Sequence, residues 1–191
     1  IPLSSFFMPK LTLEEADLKD LVIRSQEGDT DAFGKIYSHY FESVYRFTAF
    51  RVPAEMAEDL VADIFVKAWE KIHTYKVQQN VPFGAWLFRI ARHALIDVYR
   101  SQQTTEEVPE DIEDEDVLNR AETRVKRKHL LKMVRGAMGE LPKRYQEVLQ
   151  LSYIAELPSD EVARVLKMRS GAARTLKCRA LKKLEELLPS D

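Results

Sequence analysis

The chain has 191 residues, 45% of them hydrophobic and 31% charged, with a formal net charge of −2. That is enough apolar material for one helical domain or two small ones, while its single cysteine, Cys178, excludes an internal disulfide and its four scattered His leave no zinc cluster. No apolar run approaches the roughly 18 residues that span a bilayer, and the start IPLSSFFMPK lacks the basic end and long apolar segment of a signal peptide; a soluble, cytoplasmic protein without membrane insertion is expected.

With only six Gly and eight Pro, and no alternating β-branched runs between turn residues, the pattern predicts an all-α chain. Residues 1–11 read as an N-terminal extension, with Met8 the expected start and no function assigned to Ile1–Phe7. Thr12 and Glu15 fit a capping box ahead of Leu18, Leu21 and Val22. Asp29 or Thr30 caps a second helix, whose broad stripe is Phe33, Ile36, Tyr37, Tyr40, Val44 and Phe47. Pro53 opens a third, running through Leu60, Val61, Ile64, Phe65, Ala68, Trp69 and Ile72. After the break TYKVQQNVP, a fourth carries Phe83, Trp86, Leu87, Ile90, Ala91, Ala94, Leu95 and Val98.

From Ser101 the apolar period fails. The run EEVPEDIEDEDV concentrates negative charge, and its like charges repel while burying nothing, so residues 101–118 read as a flexible acidic linker. A second helical set begins near Asn119 with Leu130, Leu131, Val134 and Met138, and continues through LPKRYQEVLQLSYI. Two short amphipathic helices then meet at Lys167–Arg169. Ser159, followed by Asp160 and Glu161, is an N-cap candidate for the first, and Ser170 for the second. Val162, Val165 and Leu166 face inward, Ala163 is small enough for a close crossing, and Ala173, Leu176, Ala180 and Leu184 form a narrow stripe.

Arg174, Thr175, Cys178 and Arg179 share another face of the last helix, which suits the major groove: Arg donates twice to guanine, and Thr meets a base edge or thymine methyl. A solvated basic surface is the bland reading of the same pattern. Cys178 reads as a small neutral residue, since no reactive site assembles around it.

Four segments in order, GDTDAFGKIYSHY, AEDLVADIFVKAW, PFGAWLFRIARHALID and LPKRYQEVLQL with the helix-turn-helix, make the chain resemble bacterial sigma factors of the extracytoplasmic-function group of the sigma-70 family. The resemblance implies two small helical domains, region two over 12–100 and region four over 119–191. It further implies a factor that binds core RNA polymerase, directs it to promoters and promotes duplex opening, with no cofactor and no catalytic residues. In its terms the third helix docks on the β′ coiled coil, with Glu58, Asp59, Leu60, Asp63, Phe65 and Trp69 at matching positions. The acids suit a basic partner, while Phe65 and Trp69 read as core.

The loop Tyr75–Pro82 stands where the family captures a base flipped from the minus-ten element. Tyr75, Lys76, Gln78, Gln79 and Asn80 supply groups for stacking and hydrogen bonding; a plain surface loop is the alternative. Arg89, Arg92, His93 and Arg100 are matched to phosphate contacts, with His93 at a common Asn position, and Trp86 reads as core. In region four, Arg169, Ser170, Arg174, Thr175, Cys178, Arg179 and Lys182 are matched to minus-thirty-five contacts. Lys167 and Arg169 replace the usual Gly and Ser of the turn, Ala172–Ala173 replaces Thr-Val, and Leu176 stands at a frequent Arg position, so specificity does not transfer. The expected partner is core RNA polymerase, through its β′ coiled coil and β subunit, and the acidic linker either threads toward the polymerase active-site cleft or serves as a solvated spacer. An anti-sigma factor is a further candidate partner. The competing reading is a two-domain helix-turn-helix regulator that never docks on polymerase. An enzyme would need a Gly-rich phosphate loop, an activated nucleophile or metal spacing that the sequence lacks.

Overall fold

A computed structural model describes residues 15–77, 81–102 and 132–188. Regular structure among the described residues is helical throughout, and these residues fall into two compact units, one from each side of the linker. The capping box at Thr12, the Glu106–Asp116 acidic run, and Leu130 and Leu131 lie outside the described residues.

The first unit has four helices: α1 (Glu15–Gln26), α2 (Thr30–Ala49), α3 (Ala54–Lys71) and α4 (Phe83–Gln102), with a 3-10 turn (Ile72–Thr74) after α3. The α1–α2 corner is tight. Gly28 takes a φ of 96°, a left-handed value that glycine adopts without a Cβ clash, and Asp29 caps α2 by accepting from the Ala32 amide at 2.9 Å. Arg24, on the last turn of α1, closes the corner with a 2.6 Å bond to Asp29. Asp29, rather than Thr30, is therefore the cap.

Burial follows the helical period. Ile36, Tyr40, Val44 and Phe47 of α2 face Leu60, Val61, Ile64 and Ala68 of α3 and Leu87, Phe88, Ala91 and Leu95 of α4, and Phe47 and Phe88 meet edge to face at 5.4 Å. Each fully buried large side chain contributes about 1.5–3 kcal/mol before chain entropy is counted. The α2 stripe is narrower than its sequence suggests. Phe33 is half-buried and Tyr37 exposed, because α1, α3 and α4 cover one side of α2 and leave the edge of its apolar arc in water.

The second unit comprises α5 (described over 132–140), α6 (Lys143–Leu149), a π turn (Gln150–Ile154), α7 (Ser159–Val165) and α8 (Ser170–Leu187). Met138, Leu141, Val148, Leu149, Leu151, Val162 and Val165 build its core, and α8 packs on α6 and α7 through Ala173 and Ala180. Gln146 ties α6 to the end of α5 by donating to the carbonyls of Gly139 and Leu141 at 3.0 and 2.8 Å.

Two expected caps are corrected. Pro158 and Arg169 occupy the N-cap positions of α7 and α8, with no side-chain cap bond. Both helices are entered one residue early, so Ser159 and Ser170 already stand in the first turn, where a hydroxyl is out of line with the second and third amides. The turn between α7 and α8 is a Schellman closure: the Met168 amide donates to Ala163 at 2.9 Å and the Lys167 amide to Arg164 at 3.3 Å. Lys167 takes the left-handed position with a φ of 54°, which explains why glycine suits this site and why lysine there carries strain.

Candidate partner and nucleic-acid interfaces

On α3, Glu55, Asp59, Asp63, Val66 and Glu70 recur at steps of three, four and seven residues, so they share one face, with Glu58 at its edge. All are exposed. Among the described residues these five carboxylates, Glu55, Glu58, Asp59, Asp63 and Glu70, have no ion-pair partner. In their midst Val66 is 56% exposed and Met56 37%. Val66 escaped the sequence reading because the apolar arc already seemed satisfied by its neighbours. Leu60 and Phe65 are buried, as expected of core residues. Trp69 is half-buried, its ring 5.0 Å from Phe33.

The opposite charge lies on α4. Trp86, Arg89, His93 and Arg100 follow at steps of three, four and seven. His93 and Arg100 are exposed; Arg89 and Arg92 are half-buried, and both already have partners. Trp86, read as core from its spacing, is in fact half-buried and shares the basic stripe. Its ring lies 5.1 Å from Phe83 and 5.5 Å from Tyr75.

Tyr75 requires a correction. It is only 9% exposed, its hydroxyl donates to the Val81 carbonyl at 2.7 Å, and its ring meets Phe83 edge-on at 5.3 Å. A base has no open face of Tyr75 on which to stack. Burial of the ring wins because the adjacent Phe83 and Trp86 supply an aromatic pocket for it and Val81 supplies the acceptor its hydroxyl needs. Lys76 is exposed beside it, while Gln78, Gln79 and Asn80 lie outside the described residues.

On α8, Arg174, Thr175, Cys178, Arg179 and Lys182 are all exposed, as is Arg169 ahead of the helix; Ser170 is half-buried. The Thr175 hydroxyl donates to the Gly171 carbonyl at 3.1 Å, which leaves its oxygen as an acceptor. Neighbouring cations divide by what they touch. Lys177 sits 5.8 Å over the Tyr153 ring, and Lys183 bonds Glu186 at 2.9 Å. That hydrogen bond raises the Lys183 pKa and lowers that of Glu186. Among the described residues Arg174, Arg179 and Lys182 make no such hydrogen bond or ion pair.

Among the described residues no cluster could hold a metal ion, and no helix is long and apolar enough to cross a membrane. Residues 36–105 match the Sigma-70 region 2 family and residues 131–184 the Sigma-70, region 4 family. The chain is 34% identical over 186 residues to the ECF RNA polymerase sigma factor BldN of Streptomyces coelicolor, covering 96% of this chain and 70% of that protein. It is 29% identical to the ECF RNA polymerase sigma factor SigM of Bacillus subtilis, covering 80% and 93%. Its fold is similar to that of CnrH solved in complex with the cytosolic domain of CnrY, with a TM-score of 0.68, 27% identity, and coverage of 90% and 96%. Two family matches in order, a relative of this identity along nearly the whole chain, and an acidic α3 face followed by basic faces on α4 and α8 make one assignment: the chain belongs to the extracytoplasmic-function group of the sigma-70 family of sigma factors.

Proposed function

We propose that this sigma factor docks on the β′ coiled coil of core RNA polymerase through the α3 face, reads the minus-ten element with the loop after α3 and the basic stripe of α4, and reads the minus-thirty-five element with α8. The observation that carries this is the α3 face. Exposed carboxylates around an exposed valine form a surface with an apolar centre and a charged rim, the layout of a protein interface for a basic partner. The factor contributes binding and positioning rather than bond-making chemistry. Arg89, Arg92, His93 and Arg100 neutralise phosphates of the opening duplex, and Trp86, exposed in part on the same stripe, takes over from Tyr75 the role of an aromatic platform for an unstacked base. The solved complex of CnrH with the cytosolic domain of CnrY supports a further protein partner, an anti-sigma factor, for this chain.

Retention on immobilised core polymerase separates this reading from a helix-turn-helix regulator that acts alone. Wild-type protein should be retained and Asp63→Arg should bind more weakly by at least about 1 kcal/mol, the loss growing as salt is lowered. A wild-type chain that binds promoter DNA but is never retained by core polymerase would favour the lone regulator.

A further inference from the structure

Lys167 stands in the turn between α7 and α8 with a φ of 54°, a left-handed backbone in which any residue with a Cβ is crowded and glycine is not. The turn holds it there. The Met168 amide donates to Ala163 at 2.9 Å and the Lys167 amide to Arg164 at 3.3 Å, while the helices on either side pack together through the buried Val165 and Ala173. Backbone strain of this kind persists where the surrounding structure over-determines it, and it gathers at functional positions.

Nothing the side chain does inside the fold offsets that strain. Lys167 is exposed, and among the described residues its ammonium makes no hydrogen bond or ion pair, whereas Lys177 covers the Tyr153 ring and Lys183 bonds Glu186. The turn is basic as a whole: residues 164–169 hold Arg164, Lys167 and Arg169, all exposed, and no acid, and of the three Arg164 already has a partner. Lys167 lies two residues ahead of Arg169, the N-cap of α8. A recognition helix enters the major groove by its N-terminal end while the helix before it crosses the backbone, so the segment joining α7 to α8 passes from one to the other beside the phosphates.

We infer that Lys167 is a phosphate-binding residue of the upstream contact: its ammonium neutralises a backbone phosphate flanking the minus-thirty-five element, adding affinity and fixing the register of α8 without reading a base. The inference rests on the proposed reading of α8 as the helix that enters the groove of that element. Lysine suits the task because it is a point charge on a flexible stem, which asks no preset geometry of the turn that carries it.

The test uses the full chain with core polymerase and a duplex carrying the minus-thirty-five element alone. Lys167→Gly removes the ammonium and suits the backbone, so Tm should hold or rise while affinity falls evenly across upstream sequences; Lys167→Asn, also tolerant of this backbone, repeats the measurement. A lost phosphate contact lowers the slope of log affinity against log salt by about 0.9, so the deficit should be about 3.5-fold larger at roughly 50 mM than at roughly 200 mM salt. Lys167→Arg keeps the cation and should keep the slope. Replacing one phosphate at a time by a neutral methylphosphonate then locates the contact: at one position the neutral linkage should weaken binding of wild type and leave Lys167→Gly unaffected. An unchanged slope in Lys167→Gly, or a scan in which every neutral linkage weakens the two proteins alike, would overturn the inference. Arg174→Ala separates it from the reading on which it rests. Lost base preference in Arg174→Ala with an intact slope in Lys167→Gly refutes the phosphate contact alone, and no effect in either variant refutes both. A lowered slope and a mapped phosphate with Arg174→Ala silent would support the contact and remove the base-reading face.

Discussion

Truncating Val66 to Ala tests the proposed docking face of α3 at an exposed apolar residue that the sequence analysis did not single out. The change removes two carbons, worth about 1.6 kcal/mol if fully transferred from water to an apolar interface at ~0.8 kcal/mol per CH2. Because Val66 is 56% exposed in the free protein, only about that share remains to be gained on docking, or ~0.9 kcal/mol, which corresponds to about a fourfold rise in Kd. The fold should not suffer, since the side chain fills little of the core and Ala is the better helix former. Fluorescence titration of labelled protein against core polymerase gives the affinity, and a thermal melt followed by circular dichroism reports the fold. Val66→Lys places a cation among the five carboxylates and should weaken binding further, most at low salt. Wild-type affinity in Val66→Ala and Val66→Lys alike would refute docking through this face.

Three further outcomes are expected. Arg174→Ala should relax preference at one position of the upstream element by roughly 1–3 kcal/mol of discrimination, whereas Lys182→Ala should weaken all sequences evenly and flatten the salt dependence; selection from a promoter library with each variant distinguishes the two. Lys167→Val should lower stability by about 1–2 kcal/mol, since a β-branched residue is poorly accommodated at a φ of 54°; an unchanged urea midpoint would mean the turn relaxes. Asp29 has its pKa lowered first by the Ala32 amide and then by Arg24. A depressed carboxylate pKa adds stability above the ordinary Asp value, and that stability is lost as pH falls through the folded value. Melts below about pH 4 should therefore show wild type losing its advantage over Asp29→Ala, and a gap constant with pH would count against the cap.

Helix existence, the core and the order of the segments were legible in the residues alone, because burial obeys the 3.6-residue period that places Ile36, Tyr40, Val44 and Phe47, or Leu60, Val61, Ile64 and Ala68, on one side. That Arg174, Thr175, Cys178 and Arg179 share one exposed face of α8 was legible for the same reason, a local periodicity needing no partner helix to define it. Periodicity cannot say how much of an apolar arc its neighbours will cover. Val66 and Tyr37 ended in water and Trp86 half so, while Tyr75, in a loop with no period at all, went inside. The caps failed as predictions because Ser159 and Ser170 differ from true caps by a single residue of register, set by the backbone of Pro158 and Arg169. Gln26 carried no signal in the sequence, since a polar residue ending a helix ordinarily meets solvent. Its two acceptors, the Ile72 and Tyr75 carbonyls 46 and 49 residues away, come within reach only after α1, α2 and α3 have packed, and contacts of that separation are decided by tertiary structure because no local pattern encodes the distance between chain segments.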